Sequence, residues 1–110
     1  MADSMARDKL LQFLNERVFL PVMNAENPYD KKEENERFAM FNYAQIVMKR
    51  LAQEYRTQAQ SAEQVYQHFL FDLSSQASKY LVPRFRWIGV TWLDDVKTDF
   101  QKLYESVSRN

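Results

Sequence analysis

The 110-residue sequence has no cysteine, one glycine and three prolines, and each shortage argues against a class of protein. Without cysteine there is no disulfide framework, no thiol nucleophile and no thiolate metal site. All-β folds need turn-forming residues about every 8–12 positions, and this chain has too few glycines and prolines to supply them. The composition therefore favours helices.

Net charge and a long apolar run are also lacking. Fifteen Lys and Arg residues balance fifteen Asp and Glu residues, whereas a dedicated nucleic-acid binder usually has an excess of cations. Charged residues occupy the N-terminal stretch where a signal peptide would be apolar. No segment reaches the roughly 18 uninterrupted apolar residues of a membrane span. We therefore expect a cytoplasmic protein with no transmembrane segment.

What the chain does contain is enough apolar surface for one globular domain. Hydrophobic residues make up 45% of the sequence and aromatic residues 15%, and a chain of this length can form a single core. Apolar residues recur at helical spacing, which predicts helices at about 4–20, 28–56, 61–81 and 91–108. The predicted fold is all-α: an antiparallel four-helix bundle in which residues 1–110 form a single helical domain.

Local signals predict where these helices begin and end. Pro21 is expected to stop the first helix, because proline lacks an N–H and its ring clashes with the preceding turn. The second helix has two possible N-caps, Asn27 before a proline and Asp30, and the sequence does not decide between them. Ser61 and Gln64 have the spacing of a capping box at the start of the third helix.

The helical wheel assigns most apolar residues to core-facing stripes and leaves two on polar faces. Leu20 widens the apolar face of the first helix, and Met40 falls in the stripe of the second. Ile46 and Phe71 instead lie on the polar sides of the second and third helices. Single exposed apolar residues are common. Two of them on long helices predict a surface that binds a protein partner or makes the chain a homo-oligomer.

Residues 78–92 differ in composition from the rest of the chain. They hold both tryptophans, the only glycine and three cations without an acid. Arg84, Arg86 and Trp87 lie close together there, and such residues bind phosphate and stack on bases. A protein partner could also bind at this loop, and binding of nucleic acid or an anionic surface through residues 84–87 is an alternative function. The simpler interpretation is that this segment turns a corner, with its arginines in water; its conformation over 82–90 is left open.

No pattern in the sequence predicts catalysis, a metal site or a cofactor. The single histidine, His68, falls on the polar side of its helix, where we expect no acid three or four residues away on the same face and therefore no partner for a catalytic base. The acids Glu33, Glu34 and Glu36 lie where a helix begins, as the helix dipole favours. We therefore predict a non-enzymatic helical interaction module. A second alternative is a carrier of a small apolar ligand in the bundle core.

Overall fold

The computed structural model describes residues 3–32, 35–58, 61–74 and 92–109, and these ranges are helical apart from short connections, with no strand. The elements are α1 (Asp3–Leu14), a π-helical turn (Asn15–Phe19), α2 (Leu20–Met23), α3 (Asn35–Thr57), α4 (Ala62–Ser74) and α5 (Trp92–Ser108). The predicted all-α helical bundle is confirmed. None of the helices in these ranges has an apolar stretch long enough to cross a membrane.

The helix boundaries agree with the prediction at some ends and differ at others. The Ser61 N–H donates to Gln64 Oε1 at 2.9 Å and the Gln64 N–H donates to Ser61 Oγ at 3.2 Å, which confirms the capping box at the start of α4. The start of α5 at Trp92 is one residue from the prediction. The predicted extension of α4 to residue 81, and the segment 82–90, lie outside the described residues.

A helix start at Pro28 was wrong, because residues 25–32 are not helical. Asn27 Oδ1 accepts the Tyr29 N–H at 3.0 Å, as a capping side chain would. Its amide nitrogen, however, donates to the Phe38 carbonyl at 3.0 Å. Asn27 therefore fastens the connector to α3 instead of starting a helix. The rival cap, Asp30, accepts the Lys32 N–H at 2.7 Å, a local turn within the same connector.

Pro21 does not stop the first helix, which continues through the π-helical turn and α2 to Met23. The Leu20 N–H donates to the Asn15 carbonyl, five residues back, so this turn holds one residue more than an α-helical turn. One extra residue rotates everything after it by about 100° relative to a regular helix. Phe19 and Val22 consequently enter the core, while Leu20, predicted to widen the apolar face, is 39% exposed.

In an α-helix the carbonyl of Arg17 would accept a hydrogen bond from the backbone N–H of residue 21. Because residue 21 is proline, that N–H is missing. The indole Nε1–H of Trp92, at the start of α5, donates to that carbonyl oxygen at 3.2 Å. The Arg17 side chain also pairs with Asp99 of α5, with Nη2 and Oδ2 3.0 Å apart. The irregular end of the first helical stretch therefore holds the start of α5 through these two contacts.

Three of the helices, α1, α4 and α5, pack around Phe100, which is fully buried. Its ring centroid lies 5.5 Å from that of Phe13 in α1, 5.1 Å from Phe69 in α4 and 5.6 Å from Tyr66 in α4. Tyr66 also stacks on Tyr104 with centroids 4.0 Å apart. Such pairs contribute about 0.5–1.5 kcal/mol each beyond their area.

Contacts along these helices also show which parts of them lie together. Phe13 contacts Phe100 of α5, and Arg17 contacts Asp99 and Trp92 of the same helix. At the other end of α1, Asp3 Oδ1 accepts the Ala62 N–H at 3.2 Å. The first residues of α1 and α4 therefore lie at the same end of the bundle.

The longest helix, α3, packs mainly on α2 and the π-helical turn. Gln45 Nε2 donates to the carbonyls of Val22 at 3.0 Å and Ala25 at 2.8 Å, which lie at the end of α2 and just after it. Further along α3, Tyr55 packs on Phe19 with ring centroids 5.7 Å apart. The buried side chains of α3 form a single strip along the helix: Phe41, Ala44, Met48, Ala52 and Tyr55.

Replacing Phe100 with alanine should lower the free energy of unfolding by about 3–5 kcal/mol, because the cavity would open where three helices meet. The matched control is Phe71→Ala, the same change at a side chain that is 69% exposed, which should alter stability by about 0.5 kcal/mol or less. Urea denaturation of both variants measures the contrast, and similar losses for the two would contradict the packing described.

Trp92→Phe should cost about 1–2 kcal/mol, because it removes the donor to the Arg17 carbonyl while keeping an aromatic ring. Pro21→Ala provides a backbone N–H four residues after Arg17, so Trp92→Phe should cost less in that background. Urea denaturation of the wild type, both single variants and the double variant completes the cycle. Equal costs in the two backgrounds would show that the indole does not compensate for the proline.

Candidate interaction surface and cleft

Three large apolar side chains lie exposed on α3 and form what we call the α3 patch: Met40 (39% exposed), Tyr43 (67%) and Ile46 (57%). At 100° per residue, Tyr43 lies between the other two on the helical wheel, about 60° from each. The three side chains therefore form one continuous apolar surface. Val47, half-buried, joins this surface to the buried strip of the helix.

The patch confirms one sequence prediction and corrects another. Ile46 is exposed, as expected from its place among polar residues. Met40 was predicted in the core and is not, because α2 and the π-helical turn cover only a narrow strip of α3. Sequence reasoning missed Tyr43, although its position on the wheel between Met40 and Ile46 was a usable signal. The apolar sector of α3 is wider than the sector that the rest of the described chain covers.

Phe71, the second predicted interface residue, is exposed but lies elsewhere, at a cleft of about 220 Å³ between α3 and α4. The side chains that line this cleft are Leu51, Glu54, Tyr55, Gln58, His68, Phe71 and Asp72. On the helical wheel of α3, Ile46 lies about 80–180° from the residues of that helix that line the cleft. Ile46 and Phe71 therefore belong to two separate surfaces.

The polar centre of the cleft is a hydrogen bond in which the Tyr55 hydroxyl donates to Asp72 Oδ2. Burial raises the pKa of the Tyr55 hydroxyl far above its usual range, and the Asp72 carboxylate raises it further. Burial also raises the pKa of Asp72, against the lowering effects of the Tyr55 hydrogen bond and the charge of His68. A tyrosine whose pKa is raised keeps its proton, so Tyr55 acts as a hydrogen-bond donor and not as a base or nucleophile.

His68 is exposed, as predicted, but it has an acidic neighbour that sequence reasoning missed. Asp72 follows it by four residues in α4, a spacing that places two side chains on the same face of a helix. Both residues line the cleft. Across residues 3–32, 35–58, 61–74 and 92–109, no three His, Asp or Glu side chains are arranged to hold a metal ion.

The remaining predicted residues, Arg84, Arg86 and Trp87, lie outside the described residues. The structure therefore does not bring them together with the α3 patch or with the cleft. Comparison with known proteins gives no relative to guide an assignment: no family model, no curated protein and no solved structure matches the chain.

The raised pKa of Tyr55 predicts a loss of stability in alkaline solution. Tyrosine in an unfolded chain ionises near pH 10, whereas folded Tyr55 holds its proton to higher pH. The contribution of Tyr55 to the free energy of unfolding is complete below the pKa that tyrosine has in the unfolded chain. As the pH rises above that value the contribution is lost, by at most about 1.4 kcal/mol per pH unit.

Tyr55→Phe should remove this part of the decrease in stability at alkaline pH, and it should also lower the stability at neutral pH. Tyr43→Phe, at an exposed tyrosine, should leave the alkaline slope as it is in the wild type. Denaturation curves measured from neutral pH to one unit above the tyrosine pKa provide the comparison. An unchanged slope in Tyr55→Phe would show that Tyr55 is not the group responsible.

Proposed function

We propose that this chain is a non-enzymatic helical interaction module that binds a protein partner or a second copy of itself through the α3 patch. The observation that supports the proposal most is the continuous surface of Met40, Tyr43 and Ile46, each more than one-third exposed. Exposed apolar residues scattered singly need no explanation, but a contiguous group is typical of an interaction site.

The energetics favour covering this surface. Complete burial of one large apolar side chain is worth about 1.5–3 kcal/mol. Three of them on one helix can supply several kcal/mol, which has to exceed the entropy cost of association. Tyrosine is also enriched at interfaces, because its ring gives contact area with little loss of side-chain freedom. Tyr43, the most exposed of the three, is therefore the residue that we expect to contribute most to binding.

The architecture supports the same assignment. The 23-residue helix α3 is the longest described element, and its buried side chains all lie on the side away from Tyr43. A helix packed on one side is rigid along its whole length, so its outer surface is presented without a further ordering cost. Preorganised helix faces are a common way for proteins to bind other helices.

The test is a variant that makes the α3 patch polar, Tyr43→Ser with Ile46→Ser. Because neither side chain is in the core, the fold should remain and only binding should be lost. Met5→Ser is the matched control, since Met5 on α1 is as exposed as Ile46, at 57%. Affinity capture from native lysate, followed by light-scattering mass of the eluate, measures both a bound partner and self-association.

We expect the wild type and the Met5 variant to retain the same partner or oligomeric mass, and the Tyr43–Ile46 variant to lose it. If all three proteins gave the same eluate, the α3 patch would not be the interface. Nucleic acid in all three eluates, removed by raising the salt concentration, would instead favour the alternative of binding through residues 84–87.

A further inference from the structure

We propose that the occupant of the α3 patch is a second copy of this chain, whose α3 helix lies antiparallel to the first with the two-fold axis at Tyr43. This inference rests on the proposed function, because it assigns a partner to the same surface. It is argued from the order of side chains along the exposed face of α3, which is self-complementary.

The apolar side chains of the patch are arranged symmetrically about Tyr43. Met40 lies three residues before it and Ile46 three residues after it. In an antiparallel pair centred on Tyr43, the two Tyr43 side chains meet at the axis, and Met40 of each copy lies at the same height as Ile46 of the other, on the opposite edge of the contact. A two-fold interface requires this property, since the same surface has to fit itself.

The charges at the two ends of this face have the same symmetry but opposite signs. Glu36 lies seven residues before Tyr43 and Arg50 seven residues after it. Seven residues correspond to nearly two helical turns, so both lie within about 20° of Tyr43 on the wheel. Both side chains are exposed. Antiparallel pairing sets Glu36 of each copy opposite Arg50 of the other, which gives two attractive pairs per dimer.

A parallel pair of the same helices would place Glu36 against Glu36 and Arg50 against Arg50, and like charges in register are repulsive. The charge order thus selects the antiparallel arrangement. The like-charged residues Arg37 and Lys49 also fall opposite each other in this register, but they lie about 120° from the centre of the face, on opposite sides, and away from the contact.

The size of the surface sets the expected strength. From Glu36 to Arg50 the helix is about 21 Å long, and a helix is about 10 Å wide with its side chains. This area is well below the roughly 800 Å² per partner of stable protein complexes. We therefore expect a reversible dimer with a dissociation constant in the micromolar range or weaker.

Charge reversal tests both the partner and the register. Glu36→Arg alone places arginine opposite Arg50, and Arg50→Glu alone places glutamate opposite Glu36, so each variant should lower the association constant by roughly tenfold or more. An equimolar mixture of the two single variants restores opposite charges at both ends. Its association should return to the wild-type level, as should that of the double variant, Glu36→Arg with Arg50→Glu. Sedimentation equilibrium from the low-micromolar to the millimolar range measures all five samples.

Three results would overturn the inference. A wild type that is monomeric at every concentration would exclude the second copy as occupant. Single variants that associate like the wild type would show that Glu36 and Arg50 do not face each other. A mixture that associates much more strongly than the wild type would indicate parallel helices. In each case the proposed function would still stand if Tyr43→Ser with Ile46→Ser abolished capture of a different protein.

Circular dichroism of each variant provides the check on folding, since all substituted residues are exposed and helix content should not change. Raising the salt concentration should weaken the wild-type dimer and strengthen the single variants relative to it, because screening reduces attraction and repulsion alike.

Discussion

A single hydrogen bond, from the Trp92 indole to the Arg17 carbonyl, links the start of α5 to the irregular end of the first helical stretch. Pro21 leaves that carbonyl without a helical donor, and an unpaired buried acceptor is costly. Trp92 satisfies it from a position 75 residues later in the sequence. The bond holds the start of α5 against the irregular end of the first helical stretch, so that Phe100 reaches the centre of the bundle and Asp99 reaches Arg17.

The same irregularity decides what α3 covers and what it leaves exposed. Rotation at the π-helical turn brings Phe19 and Val22 inward, and these residues together with the carbonyls bound by Gln45 form the surface on which α3 packs. That surface is narrow, so only a strip of α3 is buried. Met40, at the edge of this strip, is left exposed by the narrow support, whereas Tyr43 lies on the opposite side of the helix.

Sequence reasoning succeeded where a local pattern decides the structure. The Ser61–Gln64 box needs only four residues, and the exposure of Ile46 and Phe71 follows from their polar neighbours. It failed where a distant residue changes the outcome. From the sequence alone, Pro21 predicts the end of a helix, because the distant donor, Trp92, cannot be foreseen. Leu20 is predicted in the core because the helical wheel does not include the extra residue of the π-helical turn. The acid beside His68 was a local signal that was overlooked, whereas the burial that raises the pKa of Asp72 depends on the packing of α3 against α4.

The position of α1 has a consequence for how the chain is made. Its first residue in the structure, Asp3, binds the start of α4, and its apolar face is completed by α5, through partners 59 to 82 residues away in sequence. During synthesis the face of α1 that carries Leu10 and Leu14 stays incompletely covered until α5 has been made. Contacts of such high sequence separation form late and slow folding. A chain shortened before α5 would therefore present part of that face to other molecules.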